Sequence, residues 1–334
     1  MLKRLFLFLA VMLSLATMLH ASESYREIEK LLEARKFSEA EKALKANITA
    51  NPQDDSAYFY LGQIPVLTGK SDRYDEAIEN LEKCVALKPT VSDYHLWLGN
   101  AYGVKAQKAG VLAAMGYVGK IKGAYEKAIE LNPRSYEARY NLIQFHLQAP
   151  SIVGGSIRKA KEIATEQMKL NVVEGRVLWA TIHIHEKEFA QAKDQLFGIA
   201  KFSSNAVKDN YLYLLAAVAG NDISDGRYAE AKVTCQRWVS LAPAGSAGYA
   251  SLGRCLYELG EDDAAIAACE KAVSLDKKSG SRYRLGLLYQ RKGDKAKAVE
   301  NLETFLKLPR SDAEKTADKE RLADAQKRLD ELKK

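Results

Sequence analysis

Histidines, cysteines and one glycine-rich loop are where chemistry would have to begin in this chain of 334 residues, and the spacing of each argues against it. His183 and His185 flank Ile184. Residues two apart on a helix point to different sides, whereas a metal site on one helix needs partners a full turn apart. His20 lies in a segment expected to be removed, His95 takes a packing position near Trp97, and His146 and His183 fit buried, hydrogen-bonded structural roles. Cys84, Cys235, Cys255 and Cys269 form no Cys-x-x-Cys pair. Each falls where a helix wants a small apolar residue, so core packing is expected; a Cys235–Cys255 or Cys255–Cys269 bridge is the alternative in an oxidising compartment. The run Ala149-Pro150-Ser151-Ile152-Val153-Gly154-Gly155-Ser156 could cradle an anion through its backbone N–H groups, but no Gly-Lys-Ser/Thr follows. Ser156 is better placed as the N-cap of a helix opening at Ile157. There is no His-Glu-x-x-His, nucleophile elbow or dinucleotide loop. These patterns predict no catalysis, no metal and no cofactor, and leave binding as the work of the chain.

The elements that would do the binding are helices, and they recur. Tyr125-Glu126-Lys127-Ala128-Ile129-Glu130-Leu131-Asn132-Pro133 is echoed by Leu81-Glu82-Lys83-Cys84-Val85-Ala86-Leu87-Lys88-Pro89, by Cys269-Glu270-Lys271-Ala272-Val273-Ser274-Leu275-Asp276 and by Leu302-Glu303-Thr304-Phe305-Leu306-Lys307-Leu308-Pro309. Upstream stand Leu61-Gly62, Leu98-Gly99, Leu252-Gly253 and Leu285-Gly286. The glycine lets two helices approach closely, and a large residue one turn on, such as Tyr102 or Tyr289, fills the space beside it. A small residue opens the second helix at Ala40, Ala77, Ala160, Ala192, Ala231, Ala265 and Ala298, with Ile121 in that place once. Pro52, Pro89, Pro133 and Pro243 close second helices, because proline cannot continue one without losing a hydrogen bond. The period is about 34 residues or somewhat more.

This pattern resembles the tetratricopeptide repeat over nearly the whole chain after residue 21. The resemblance implies an all-α solenoid of helical hairpins in a right-handed superhelix, with the first helix of each pair lining a concave face. About eight repeats fit residues 22–310. The clearest begin near Asp55, Ser92, Ser246 and Ser279; those from Tyr136, Val173 and about Asp209 are degenerate. One repeat cannot bury its apolar face alone, so neighbours stack. Residues 311–334 carry a narrow stripe of Ala313, Ala317, Leu322, Ala325, Leu329 and Leu332, predicted as a C-terminal capping helix.

With Leu-Gly fixing the register, the inward positions form two rows. The first is Phe59, Leu96, Tyr140, Val177, Tyr213, Ala250 and Tyr283; the second, one turn on, is Gln63, Asn100, Gln144, Thr181, Ala217, Arg254 and Leu287. Carboxamides both donate and accept, so Gln63, Asn100 and Gln144 suit the backbone of an extended peptide whose side chains would meet Phe59, Leu96 and Tyr140. Thr181 and Tyr213 extend the candidate site. The resemblance implies a protein or peptide partner. Chaperone-binding members of the family clamp a C-terminal carboxylate with Lys and Arg on these rows, and that pattern is missing here.

The rest of the sequence sets the setting. Lys3 and Arg4 precede an apolar run from Leu5 to Leu19 and a small-residue exit at Ala21, the plan of a secretory signal peptide. Its removal would lower the formal charge from +7 to +5. The chain is then expected to be exported, and periplasmic in a Gram-negative host. Basic and acidic residues are interspersed, which argues against nucleic acid. The apolar, small-residue segment Gly103 to Lys120 is an insertion within one repeat, expected as longer helices broken near Gly110 or Gly116. It offers an alternative function, binding a lipid or apolar ligand, and a possible membrane contact.

Overall fold

The computed structural model describes residues 25–334. The expected signal peptide and its cleavage after Ala21 lie outside them. Among the described residues the secondary structure is helical, with no strand. Helix α1 (residues 25–33) pairs with α2 (Phe37–Ala50). There follow α3 (Asp55–Thr68) with α4 (Tyr74–Leu87), α5 (Ser92–Lys108) with α6 (Val111–Leu131), α7 (Tyr136–Gln148) and α8 (Ile157–Leu170). Next come α9 (Val172–His185) with α10 (Phe189–Phe197), α11 (Asn205–Ser224) with α12 (Tyr228–Leu241), α13 (Ser246–Glu258) with α14 (Asp262–Leu275), and α15 (Ser281–Arg291) with α16 (Lys295–Lys307). The chain closes with α17 (Asp312–Ala317) and α18 (Lys319–Lys333). The predicted single tail helix is therefore two, broken at Asp318, whose carboxylate is held by Arg310 and Arg321.

Local chemistry places these boundaries. Asp54, Ser135, Asn171, Ser204 and Asp294 each accept a backbone N–H of the first helical turn beyond them. Pro52, Pro89, Pro133 and Pro243 stand one residue past the C-caps Asn51, Lys88, Asn132 and Ala242. Five pairs turn through a left-handed residue two positions before the second helix: Arg35, Lys187, Gly226, Gly260 and Gly293. Glycine enters that conformation without the Cβ clash that Arg35 and Lys187 carry.

Packing divides the described residues into two compact units, residues 25–163 and 164–334, the boundary falling inside α8. In the first, Ala77, Leu81, Cys84, Leu98, Tyr102, Tyr125 and Ala128 form the centre of one apolar cluster. Ile28, Ala40, Leu44, Ala57, Leu61 and Ile64 form another. The Leu-Gly pairs work as the sequence implies: a Cβ on Gly99 would lie 2.6 Å from the Tyr125 ring. In the second unit a Cβ on Gly253 would meet the Cys269 sulfur just as closely. At the C-terminal end Ala325, Leu322 and Leu332 of α18 pack on Leu302 and Phe305 of α16. Asp324 fastens α18 by accepting from the Tyr283 hydroxyl, 2.7 Å, and Lys333 pairs with Glu303 at 2.7 Å.

Both insertions lie in the first unit. The longer one lengthens α5 and α6 and breaks between them at Ala109 and Gly110, while Gly116 stays inside α6. Leu112 is 86% exposed and Met115 49% exposed there. The loop after α7 is fastened rather than open. His146 shares its Nδ1 proton with the Gly154 carbonyl at 3.1 Å, and Ser156 donates its N–H to the His146 carbonyl at 2.9 Å. A Cβ on Gly155 would collide with the Ala149 carbonyl oxygen. Ser156 caps α8 by accepting from the Lys159 N–H at 3.3 Å.

Candidate binding face

The predicted site residues separate by burial into three kinds. In the first unit Gln63 and Leu96 are buried, each 7% exposed. Phe59 is half-buried and stacks its ring against Tyr94, 4.8 Å between centroids. Asn100 is half-buried, and its side-chain oxygen accepts from the Tyr125 hydroxyl at 3.0 Å and from the Asn141 amide at 2.8 Å. Gln144 donates to the Tyr140 hydroxyl at 2.9 Å and accepts from Gln148 at 3.1 Å, all within α7. The three carboxamides thus share a register but not a circumstance: Gln63 is enclosed, Asn100 joins helices, and Gln144 belongs to a ladder along one helix surface.

In the second unit Thr181 is buried, its hydroxyl donating to the Val177 carbonyl of its own helix at 2.9 Å. Tyr213 differs from all of these. It is 69% exposed and is the only aromatic among the large, exposed hydrophobic side chains of the described residues. Periodicity places side chains on a face but does not say how deeply a neighbouring helix covers them, and that is why one row holds both Val177, fully buried, and Tyr213.

One feature was missed by reading rows. At the end of α9, His183, Glu186 and Glu188 bring one ligand atom each within 4.8 Å of one another, and His183 Nδ1 stands 2.7 Å from the Glu188 carboxylate. A divalent cation would find a nitrogen and two carboxylates there. The pairing also satisfies His183 as it stands, in the hydrogen-bonded structural role expected from sequence. The four cysteines are buried free thiols, and Cys235 and Cys255 are in hydrogen-bond contact across α12 and α13.

Comparison with known proteins places this geometry. Tetratricopeptide-repeat profiles match residues 25–70, 69–91, 247–279 and 279–312. A comparison with curated proteins returned no match. Among solved structures, yeast Tom70 is 15% identical with a TM-score of 0.53, covering 90% of this chain and 59% of that one. A tetratricopeptide-repeat protein of Thermus thermophilus is 19% identical with a TM-score of 0.47, covering 58% of this chain and 98% of its own. The Yersinia enterocolitica type III secretion chaperone SycD, in complex with a peptide of the translocator YopD, is 22% identical with a TM-score of 0.34, covering 40% of this chain and 97% of its own. Repeat profiles at both ends, paired antiparallel helices and glycine-mediated contacts between them agree, and the chain is a tetratricopeptide-repeat protein.

Proposed function

We propose that the protein is an exported interaction scaffold that holds a protein or an extended peptide on the first-helix face. The fold supports the coarser part, since repeats of this kind present helix surfaces to other proteins and the chain lacks the residue patterns of an enzyme. The observation that carries the finer part is Tyr213. A ring 69% exposed, in a row whose other members are packed away or half-covered, is what an interface anchor looks like before its partner arrives. Tyr140, half-buried on α7, is the corresponding candidate of the first unit. The export proposal rests on Lys3, Arg4, the apolar run and Ala21. No helix among the described residues is long and apolar enough to cross a membrane.

The experiment is an affinity capture from envelope extract with wild-type protein and with Tyr213→Ala and Tyr140→Ala, circular dichroism serving as the folding control. Loss of a captured protein in either variant, with helicity unchanged, supports the face. Equal capture by both variants moves the interface elsewhere. N-terminal sequencing of the exported form tests cleavage, and an intact Met1 on a membrane-bound product would refute it.

The insertion supports a second reading. Leu112 and Met115 are exposed on α6, and Lys108 and Lys120 flank them in sequence, while Lys105 and Lys122 pair with Asp75 and Glu126. Apolar tips among lysines suit an anionic bilayer surface. Flotation with phosphatidylglycerol vesicles, lost on Leu112→Glu, would favour that reading; protein left unbound in the gradient would dismiss it.

A further inference from the structure

The turn between α9 and α10 gathers three side chains of the types that hold metal ions. His183 stands in the last turn of α9, Glu186 is the C-cap of that helix, and Glu188 is the N-cap of α10. One ligand atom from each lies within 4.8 Å of the other two. Among the described residues no other three His, Cys, Asp or Glu side chains gather in this way. The chain reverses through Lys187, in the left-handed conformation, and the Glu188 N–H donates to the His183 carbonyl at 2.7 Å. That backbone bond holds Glu188 beside His183 before any ligand arrives. Packing holds the imidazole as well. Trp179, one turn earlier on α9, has its ring 5.5 Å from that of His183, and the His183 side chain is only 15% exposed.

Glu188 occupies a position where an acidic side chain has an ordinary task. A carboxylate at an N-cap accepts a backbone N–H of the first turn, as Asp294 does from Lys297 at the start of α16. Glu261, at the N-cap of α14, instead pairs with Lys232 at 2.8 Å. Glu188 does neither. It makes no cap bond to α10, and among the described residues no Lys or Arg pairs with it. Its carboxylate turns to His183 Nδ1, 2.7 Å away. A neutral imidazole and a carboxylate share one proton there. A cation can take that proton's place, the imidazole then carrying its single N–H on Nε2. Ligand atoms about 2.0–2.2 Å from a tetrahedral cation stand about 3.4 Å apart, so the His183–Glu188 pair opens by about 0.7 Å on binding. Glu186 and Glu188 balance the two charges of the ion.

We propose that His183, Glu186 and Glu188 bind a divalent first-row transition cation of the zinc type. A ring nitrogen among the donors disfavours calcium and magnesium, which take oxygen ligands. Three protein ligands leave a fourth position open to water or to a donor from another molecule. The site uses no residue of the inward rows, so its test and that of the scaffold reading are independent. Sequence spacing passed over it because a search for two histidines one turn apart on one helix does not count carboxylates supplied by the turn that follows.

The test is calorimetric titration of zinc into the untagged, chelator-treated protein, with calcium and magnesium as the other arms. One equivalent of zinc should bind and raise the melting temperature, and the two harder cations should bind far more weakly. Glu186→Gln and Glu188→Gln should each weaken zinc binding about tenfold or more, at least the effect of losing an outer-shell partner. Glu188→Gln keeps an acceptor for His183, so its melting temperature without zinc should stay near that of wild type. His183→Gln should lose binding, whereas His185→Ala, an exposed neighbour on the same helix, should keep it. Nickel in place of zinc should quench tryptophan emission, and Trp179→Phe should lose most of that quenching while still binding zinc. No zinc bound by the wild type overturns the proposal. So does wild-type affinity in both glutamate variants, loss in His185→Ala alone, or calcium bound as tightly as zinc.

Discussion

Asn141 of α7 donates its side-chain amide to the Asn100 oxygen on α5 at 2.8 Å, and Tyr125 of α6 donates to the same atom at 3.0 Å. One carboxamide oxygen therefore ties three helices of the first unit. Asn100→Ala should cost about 1–3 kcal/mol, because it leaves two partly buried donors without an acceptor. Gln144→Ala, whose bonds stay within α7, should fall within about 0.5 kcal/mol of wild type. Urea unfolding of both variants checks this, and equal midpoints would show that Asn100 joins nothing of consequence.

Gly99→Ala asks whether the close approach at the Leu-Gly step is needed. The added methyl would lie 2.6 Å from the Tyr125 ring, so helix or ring must shift. Overpacking of this kind costs about 1–3 kcal/mol. Thermal unfolding provides the measurement; a variant as stable as wild type would mean that α5 and α6 can separate freely.

Lys187 takes a left-handed turn, φ +63, that Gly226, Gly260 and Gly293 take in other pairs. Lys187→Gly removes about 1–2 kcal/mol of strain and adds about 0.4–1 kcal/mol of unfolded-chain entropy. A gain in stability of up to about 1.6 kcal/mol is expected from the difference. A lower denaturation midpoint would show that the lysine side chain contributes more than its backbone costs.

Much of this was legible because repetition turns single weak signals into a register. Leu-Gly, the small residue opening each second helix and the closing prolines located the pairs from α3/α4 to α15/α16. Not every proline closes a helix: Pro65 sits inside α3, in its last turn. α11 opens at Asn205, ahead of the expected start near Asp209, because Ser204 caps it there. The site was less legible. Thr181 and Tyr213 are both inward positions by register, yet one is buried and the other exposed, because depth of burial depends on neighbouring helices that a one-dimensional pattern does not describe.

His146 is buried, and burial lowers its affinity for a proton below the ordinary value of 6.5 despite the Gly154 carbonyl beside it. The unfolded chain therefore binds the proton more readily than the folded one. The stability contributed is full above about pH 6.5 and is lost as the pH falls through the folded value. His146→Gln should flatten the stability profile between pH 7 and 5. An unchanged slope would assign the acid sensitivity to other groups.

The cysteines should be silent in the native state. Burial pushes the Cys84 thiol up to about 12 and the Cys269 thiol up to about 11. Contact with Cys255, together with burial, pushes Cys235 up as well; the same contact holds Cys255 down, so its silence rests on its complete burial. Because the thiolate is the reactive form, an aromatic disulfide reagent should titrate four thiols in urea and react slowly with the reduced native protein. Rapid native reaction at any one of them would contradict its core position.

A fold that grows by adding like layers has no natural length; each added pair buries one apolar face and exposes the next. Here the last exposed face belongs to Leu302 and Phe305, and α18 covers it with Ala325, Leu322 and Leu332 while turning Lys319, Glu320, Lys327 and Glu331 outward. The tail acts as a terminator. Without it, α16 would offer another chain the same kind of apolar surface that each repeat offers its successor, the starting point of head-to-tail association.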